Sequence, residues 1–305
     1  MTIKHLVISG GGSIGLQFLG ILQHLNEHEF WKIEEIENIY ATSVGVMIAI
    51  LLVLKYDWET VIQYVVERPW HDIFKLSGKQ IVEAFYNKGL YDKKIFDVAF
   101  KPLLEAKDLS LQITLKEFYE YSHVFLHFYT FELNTFKEVE INHLLNPDLS
   151  LLTALSMSCA IPGVFMPICI EKACYIDGGV RANYPLSYCL ENHNDKNEIL
   201  GINYILSKNV MCEINEDSSI LDFILGISMN AMNFITNNTK SESLLYEIIC
   251  EMDESPLSLS YVKKTLNSSS ERQLLIQEGY KVATNFLEKV ENVKEKMKNE
   301  EKIIN

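Results

Sequence analysis

The chain has 305 residues, 48% of them hydrophobic and 22% charged, with a formal net charge of −14. That length holds one large domain or two modest ones, and the composition is that of a globular protein with enough apolar residues for a sizeable core. The acid excess argues against nucleic acid, whose phosphates need Lys and Arg, and against long-range attraction to anionic membranes, but leaves room for a local basic or apolar docking face.

Residues 5–9 read as a buried strand and 15–28 as the helix after it. Residues 36–41 ("IENIYA") read as a second strand. Residues 44–55 are apolar on nearly every face, which predicts a buried helix. Strand, glycine turn, helix, strand, turn and buried helix open an α/β sheet covered on both sides. The segment 57–120 is mostly helical in pattern. "HVFLHFYTFEL" (123–133) has the aromatic and β-branched content of a strand, and "TFKEVEI" (135–141) alternates so as to pair with it in a hairpin. Residues 149–159 are helical, "ACYIDGG" is a short strand ending in a tight turn, and "EILGINYIL" (198–206) is another buried strand. Beyond it the pattern is helical, with an apolar stretch at 219–235 and a long helix over 270–302. The polar clusters at 207–218 and 237–243 read as loops. The expected layout is one α/β domain over 1–207 and a helical extension, 208–305, packed on it.

Six cysteines at 159, 169, 174, 189, 212 and 250 form no CxxC pair and no zinc-spaced cluster with His. Buried free thiols are expected. The apolar run at the N-terminus leads straight into glycines, unlike a signal peptide, and "VGVMIAILLVL" (44–54) is too short to span a bilayer. A soluble cytoplasmic protein is the expectation, with peripheral membrane contact left open.

"SGGGSIG" (9–15) fits G-x-G-x-x-G, the dinucleotide fingerprint. That reading needs a carboxylate at the end of the second strand to hold the ribose. The second strand ends instead in "IYATSVG", with Ser43 between Ala41 and Gly45 where a strand turns into a buried helix. Small flanking residues around a serine at such a turn are the pattern of a nucleophile elbow. The backbone N–H groups of Gly10, Gly11 and Gly12 on the neighbouring strand then become oxyanion donors. A serine at a helix start can also be only a cap. A base is offered by Asp177, which ends a short strand before Gly178 and Gly179, although Asp-Gly pairs often only cap turns. A Ser–His–acid triad would need a histidine after Asp177, and His193 in the polar stretch "LENHNDKNE" is the one available.

Four segments in order resemble the patatin-like phospholipase family. "SGGGSIG" resembles its D-G-G-G-x-R-G loop, "ATSVG" its G-x-S-x-G elbow, and "IDGGVRANYPL" the D-G-G/A stretch with its aspartate. "ALSMSCAIPGVFMP" (154–167) resembles the helix and proline turn before that aspartate. The match runs from about residue 5 to 206. Ser9 stands where the family usually has Asp, Ile14 where it has Arg, and Ala41 where it has the first elbow Gly. The resemblance implies a three-layer α/β/α fold with a mostly parallel sheet. It also implies a Ser43–Asp177 dyad cleaving fatty-acyl esters of phospholipid or another acyl lipid through an acyl-enzyme, with no metal or cofactor. The alternative is a catalytically impaired lipid- or partner-binding protein on the same scaffold, and protein partners are not readable.

Overall fold

A computed structural model of the protein describes residues 2–207, 214–238 and 244–304. Its strands are β1 (His5–Ile8), β2 (Asn38–Thr42), β3 (Gly89–Tyr91), β4 (Phe125–Glu132), β5 (Lys137–Ile141), β6 (Gly163–Phe165), β7 (Ile168–Ile170), β8 (Ala173–Asp177), β9 (Ile199–Leu206) and β10 (Glu247–Met252). Its α-helices are α1 (Gly15–Glu27), α2 (Val44–Val53), α3 (Trp58–Glu67), α4 (Trp70–Ile73), α5 (Gly78–Asn87) and α6 (Lys94–Glu105), then α7 (Leu115–Ser122), α8 (Leu151–Ser158), α9 (Leu186–Asn192), α10 (Ile220–Asn238), α11 (Leu259–Asn267) and α12 (Ser269–Ile304).

The main sheet runs β10-β9-β1-β2-β4-β8-β7 in hydrogen-bonding order, with β5 also on β4. β10, β9, β1, β2 and β4 are mutually parallel, and the antiparallel pairs are β4–β5, β4–β8 and β7–β8. Parallel strands covered on both faces are apolar throughout rather than alternating, which is why "HLVI" is buried at every position. Successive side chains still go to opposite faces. Leu6 and Ile8 of β1, with Ile39 and Ala41 of β2, join the large core with α1, α2, α8 and α12. Val7 and Tyr40 point the other way, into a smaller core with Leu186 and Cys189 of α9. The result is the expected three-layer α/β/α arrangement.

Among the described residues the C-terminal region is helical but for one strand. β10 extends the sheet by parallel pairing with β9, Glu247 to Gly201 through Met252 to Leu206. α12 lies along α1 at backbone-to-backbone distance. A Cβ on Gly20 would collide with the Ile276 carbonyl, and one on Gly279 with the Gln17 carbonyl. The buried Arg272 fixes the start of α12 by donating to the carbonyls of Val66, Thr265 and Leu266, the free C-terminal ends of α3 and α11. Trp58 and Trp70 are packing residues: Trp58 donates to Asn26 Oδ1 and Trp70 to the Val65 carbonyl.

Of the cysteines expected as free thiols, 159, 189 and 250 are free and buried. Cys169 and Cys174 instead form a disulfide, a correction with a local cause: they face each other across the β7–β8 hairpin. Cys212 lies outside the described residues, as does most of the expected loop at 237–243. Among the described residues no helix is long and apolar enough to cross a membrane.

Candidate active site

β4 brings Ser43 and Asp177 together. Thr42, the last residue of β2, pairs with Tyr129 of β4. Asp177, the last residue of β8, pairs with the next residue, Thr130. β5 occupies the opposite edge of β4 over the same stretch, so β8 takes up the edge where β2 leaves it. The residue after Thr42 and the side chain of Asp177 therefore meet. Ser43 Oγ donates to Asp177 Oδ2 at 2.6 Å, and both residues are buried.

The turn at Ser43 is strained. Its φ of 53° and ψ of −121° lie in a region that non-glycine residues avoid. Two side-chain bonds hold it there. The Ser43 N–H donates to Ser158 Oγ at 2.9 Å, and Ser158 in turn donates to the Tyr129 carbonyl at 2.6 Å. Gly45 is required by space, since a Cβ would come within 2.5 Å of the Ile8 carbonyl. Ala41 is fully buried under the turn. Ser43 precedes α2, whose first N–H groups have no intrahelical acceptor and favour negative charge in front of them.

Asp177 is held from three sides. Its N–H donates to the Ala160 carbonyl at 3.0 Å, and its Oδ1 accepts from the Gly179 N–H at 2.7 Å. Gly178 sits against the Tyr129 carbonyl with no room for a side chain. Burial pushes the Asp177 carboxyl up to about 6, against the opposing hydrogen bonds from Ser43 and Gly179. A carboxylate near neutrality beside a serine hydroxyl is suited to accept its proton.

The glycine loop borders the serine. A Cβ on Gly10 would approach Ser43 Cβ to 3.2 Å. Gly10 is expected among the oxyanion donors, and here the structure differs: its N–H donates to the Asn183 carbonyl at 2.8 Å. Gly10 is a close-approach residue, not a free donor. Gly11 (φ 146°) and Gly12 (φ 59°) adopt backbone angles that favour glycine. Among the described residues no acceptor in the fold takes either N–H. Ile14 is fully buried, and a Cβ on Gly11 would meet its Cγ2 at 2.7 Å, so the loop rests on an apolar contact at this point.

Residues 182 and 183 stitch the site together, which sequence reasoning missed. The Ala182 carbonyl accepts from Thr42 Oγ1 at 2.6 Å, beside Ser43, while Asn183 holds Gly10. Tyr204 of β9 packs its ring within 2.7 Å of where a Gly11 Cβ would lie. Its hydroxyl is pushed up to about 12 by burial and by the nearby Asp177 carboxylate. His193 belongs elsewhere. Its ring stacks on His5 at 3.6 Å and it bonds the Tyr40 hydroxyl. His5 pairs with Asn38 at the start of β2, whereas Ser43 follows its end, roughly 15 Å away at the usual strand rise. Among the described residues no group of His, Cys, Asp and Glu could hold a metal ion.

The model of the family described as patatin-like phospholipase matches residues 6–190. The "Probable lipid hydrolase 463L" of Invertebrate iridescent virus 6 is 29% identical over 198 residues, 64% of this chain and 66% of that protein. The chain thus spans just under two thirds of that relative's length. The "Uncharacterized protein R571" of Acanthamoeba polyphaga mimivirus is 23% identical over 270 residues, covering 85% of this chain and 86% of that protein. The crystal structure of VipD from Legionella pneumophila aligns with a TM-score of 0.54 at 15% identity, over 95% of this chain and 67% of that one. The last comparison is a likeness of fold.

Proposed function

The chain belongs to the patatin-like phospholipase family, and from that premise we propose that it is a serine lipid acyl hydrolase of phospholipase A type. The observation that carries this is the 2.6 Å hydrogen bond from Ser43 Oγ, on a strained turn, to the buried Asp177 carboxylate. Asp177 Oδ2 takes the Ser43 proton as Oγ attacks the acyl carbonyl carbon. The oxyanion of the tetrahedral intermediate receives hydrogen bonds from the N–H groups of Gly11 and Gly12. Loss of one such donor typically lowers the rate by about 10² to 10³. The ester C–O bond then breaks, and the leaving alkoxide takes the proton from Asp177. Water, deprotonated by Asp177, attacks the acyl-enzyme. Oγ leaves with the proton, and the fatty acid is released.

A second reading is lipid binding without turnover. The burial of both Ser43 and Asp177 favours it, because a substrate needs the site to open. The discriminating experiment is fluorophosphonate labelling of wild type, Ser43→Ala and Asp177→Asn, read by intact mass. One adduct on the wild type, absent from Ser43→Ala and strongly slowed in Asp177→Asn, is the expected result. No adduct on folded wild type overturns the hydrolase and leaves the binding protein.

A further inference from the structure

α5 is built inside out. Its outward ridge is apolar: Ile81, Val82, Phe85 and Tyr86 are 50%, 63%, 73% and 81% exposed. Its other face is polar: Gln80, Glu83 and Asn87 line an open pocket of about 550 Å³, together with Asp72, Lys94 and apolar residues such as Leu90 and Met166. A surface helix of a globular protein turns its apolar stripe to the core. Here the stripe at positions 81, 82, 85 and 86 is turned away from the fold, although the helix is well made. A Ser77–Gln80 capping box starts it, and Lys88 ends it in the left-handed conformation.

The charge around the ridge is opposite to that of the chain. Residues 72–97 carry Lys75, Lys79, Lys88, Lys93 and Lys94 against Asp72, Glu83, Asp92 and Asp97, a small positive balance in a protein of net charge −14, with Lys79 paired to Glu83 and Lys94 lining the pocket. All five lysines are exposed. The ridge is also connected to the site. α5 leads into β3, which pairs with β6, Gly89 to Gly163 and Tyr91 to Phe165. β6 follows closely on Ala160, the residue that holds the Asp177 N–H. A Cβ on Gly163 would meet Ile224 and Leu221 of α10 at 3.2 and 3.3 Å, and on the same helix Ile220, Phe223 and Ile227 are exposed.

The geometry points to the α5 ridge as the surface by which this protein docks on an anionic lipid bilayer, with the apolar side chains entering the interface and the lysines meeting the headgroups. An exposed apolar helix face flanked by Lys suits such an interface, and lysines near an anionic leaflet are attracted at short range whatever the net charge. The choice of a bilayer as occupant rests on the lipid-hydrolase reading, since that substrate is presented there.

The test is co-sedimentation of the full chain with vesicles of phosphatidylcholine alone and of phosphatidylcholine with phosphatidylglycerol, for wild type, V82E/F85E and K79E/K88E. Hydrolysis of a soluble short-chain ester and light scattering are measured in parallel. Wild type is expected to bind the anionic vesicles at least tenfold more tightly than the neutral ones. V82E/F85E loses at least tenfold on both, and K79E/K88E loses the anionic preference, with soluble-ester hydrolysis unchanged. Wild-type binding by V82E/F85E, or no binding by wild type, overturns the proposal. A wild-type dimer that V82E/F85E makes monomeric, without vesicle binding, assigns the ridge to a second copy instead. Failure of soluble-ester hydrolysis with vesicle binding intact counts against the hydrolase alone.

Discussion

Ser158 Oγ accepts the N–H of Ser43 at 2.9 Å and donates to the Tyr129 carbonyl at 2.6 Å, so one hydroxyl ties the strained turn to β4. Ser158→Ala leaves the buried Ser43 N–H and the Tyr129 carbonyl without this partner. An unsatisfied buried group costs roughly 1 to 3 kcal/mol, and a turn held at positive φ relaxes when its support is removed. Ser158→Ala is therefore expected to lower kcat by at least tenfold with little change in KM and to slow fluorophosphonate labelling of Ser43. Ser158→Thr keeps the hydroxyl and recovers most of the labelling rate. An Ala variant with wild-type kcat and labelling would show that the bond is dispensable.

Asp177 is predicted to set both the pH dependence of the reaction and a stability penalty. With its carboxyl pushed up to about 6 by burial, the proposed base is ionised above that pH. The acid limb of kcat/KM should therefore rise through about 6, well above an ordinary aspartate. The stability effect has the opposite sense. The native state binds the proton more tightly than the unfolded chain, so stability falls as pH rises from about 4 to about 6. Asp177→Asn keeps an acceptor for Gly179 and a partner for Ser43, and removes the buried charge. It should lower kcat by on the order of 10² to 10⁴ while stabilising the fold at pH 7 by roughly 1 to 3 kcal/mol. Urea unfolding at pH 7 and pH 4 measures this, and a destabilised Asn variant would contradict it.

Much of the candidate site's local geometry was readable in the sequence because its parts are local. The elbow around Ser43, the turn at Gly178 and Gly179, and the glycines at 10–12 each carry small residues where the backbone bends or approaches closely. The remainder is set by distant partners. Which glycine N–H is already engaged depends on the Asn183 carbonyl, and no local pattern reports that. β3, β6 and β7 are three residues long, too short for periodicity to register. β10, "EIICEM", alternates between buried and partly or fully exposed positions in a region whose pattern is otherwise helical. It becomes a strand through its pairing with β9, more than forty residues earlier. The Cys169–Cys174 pair follows from a hairpin that the sequence reading did not place.

His5 makes the protein sensitive to acid. It is buried beside His193, and burial together with that neighbour lowers its pKa to about 4. The unfolded chain takes up a proton at this residue below about 6.5, but the native state does not until about 4. Stability is therefore lost as pH falls through that window, with a slope of up to about 1.4 kcal/mol per pH unit from this residue. His5→Gln retains an acceptor for Asn38 and removes the titration. Its unfolding midpoint in urea should change less between pH 7 and pH 5 than that of wild type. Equal losses in the two proteins would remove His5 as the source.

The contact of α1 with α12 depends on two glycines because it brings one helix backbone against the other. Gly20 faces the Ile276 carbonyl and Gly279 the Gln17 carbonyl, both backbone atoms that cannot rotate away. Any side chain at either position forces the helices apart. The displacement strains the Gln17–Glu278 bond of 2.9 Å and the Tyr280–Gln23 bond that flank the crossing. Overpacking of this kind costs about 1 to 3 kcal/mol. In an exposed helix the Gly→Ala change is favourable by roughly 1 kcal/mol, so the sign of the effect is itself the test. Gly279→Ala is expected to lower the midpoint of urea unfolding, and Gly20→Ala/Gly279→Ala to lower it by less than the sum of the singles, because one separation of the helices relieves both collisions. Additive effects would mean that the two glycines act through independent contacts, and a stabilised Gly279→Ala would mean that α12 does not lie this close to α1.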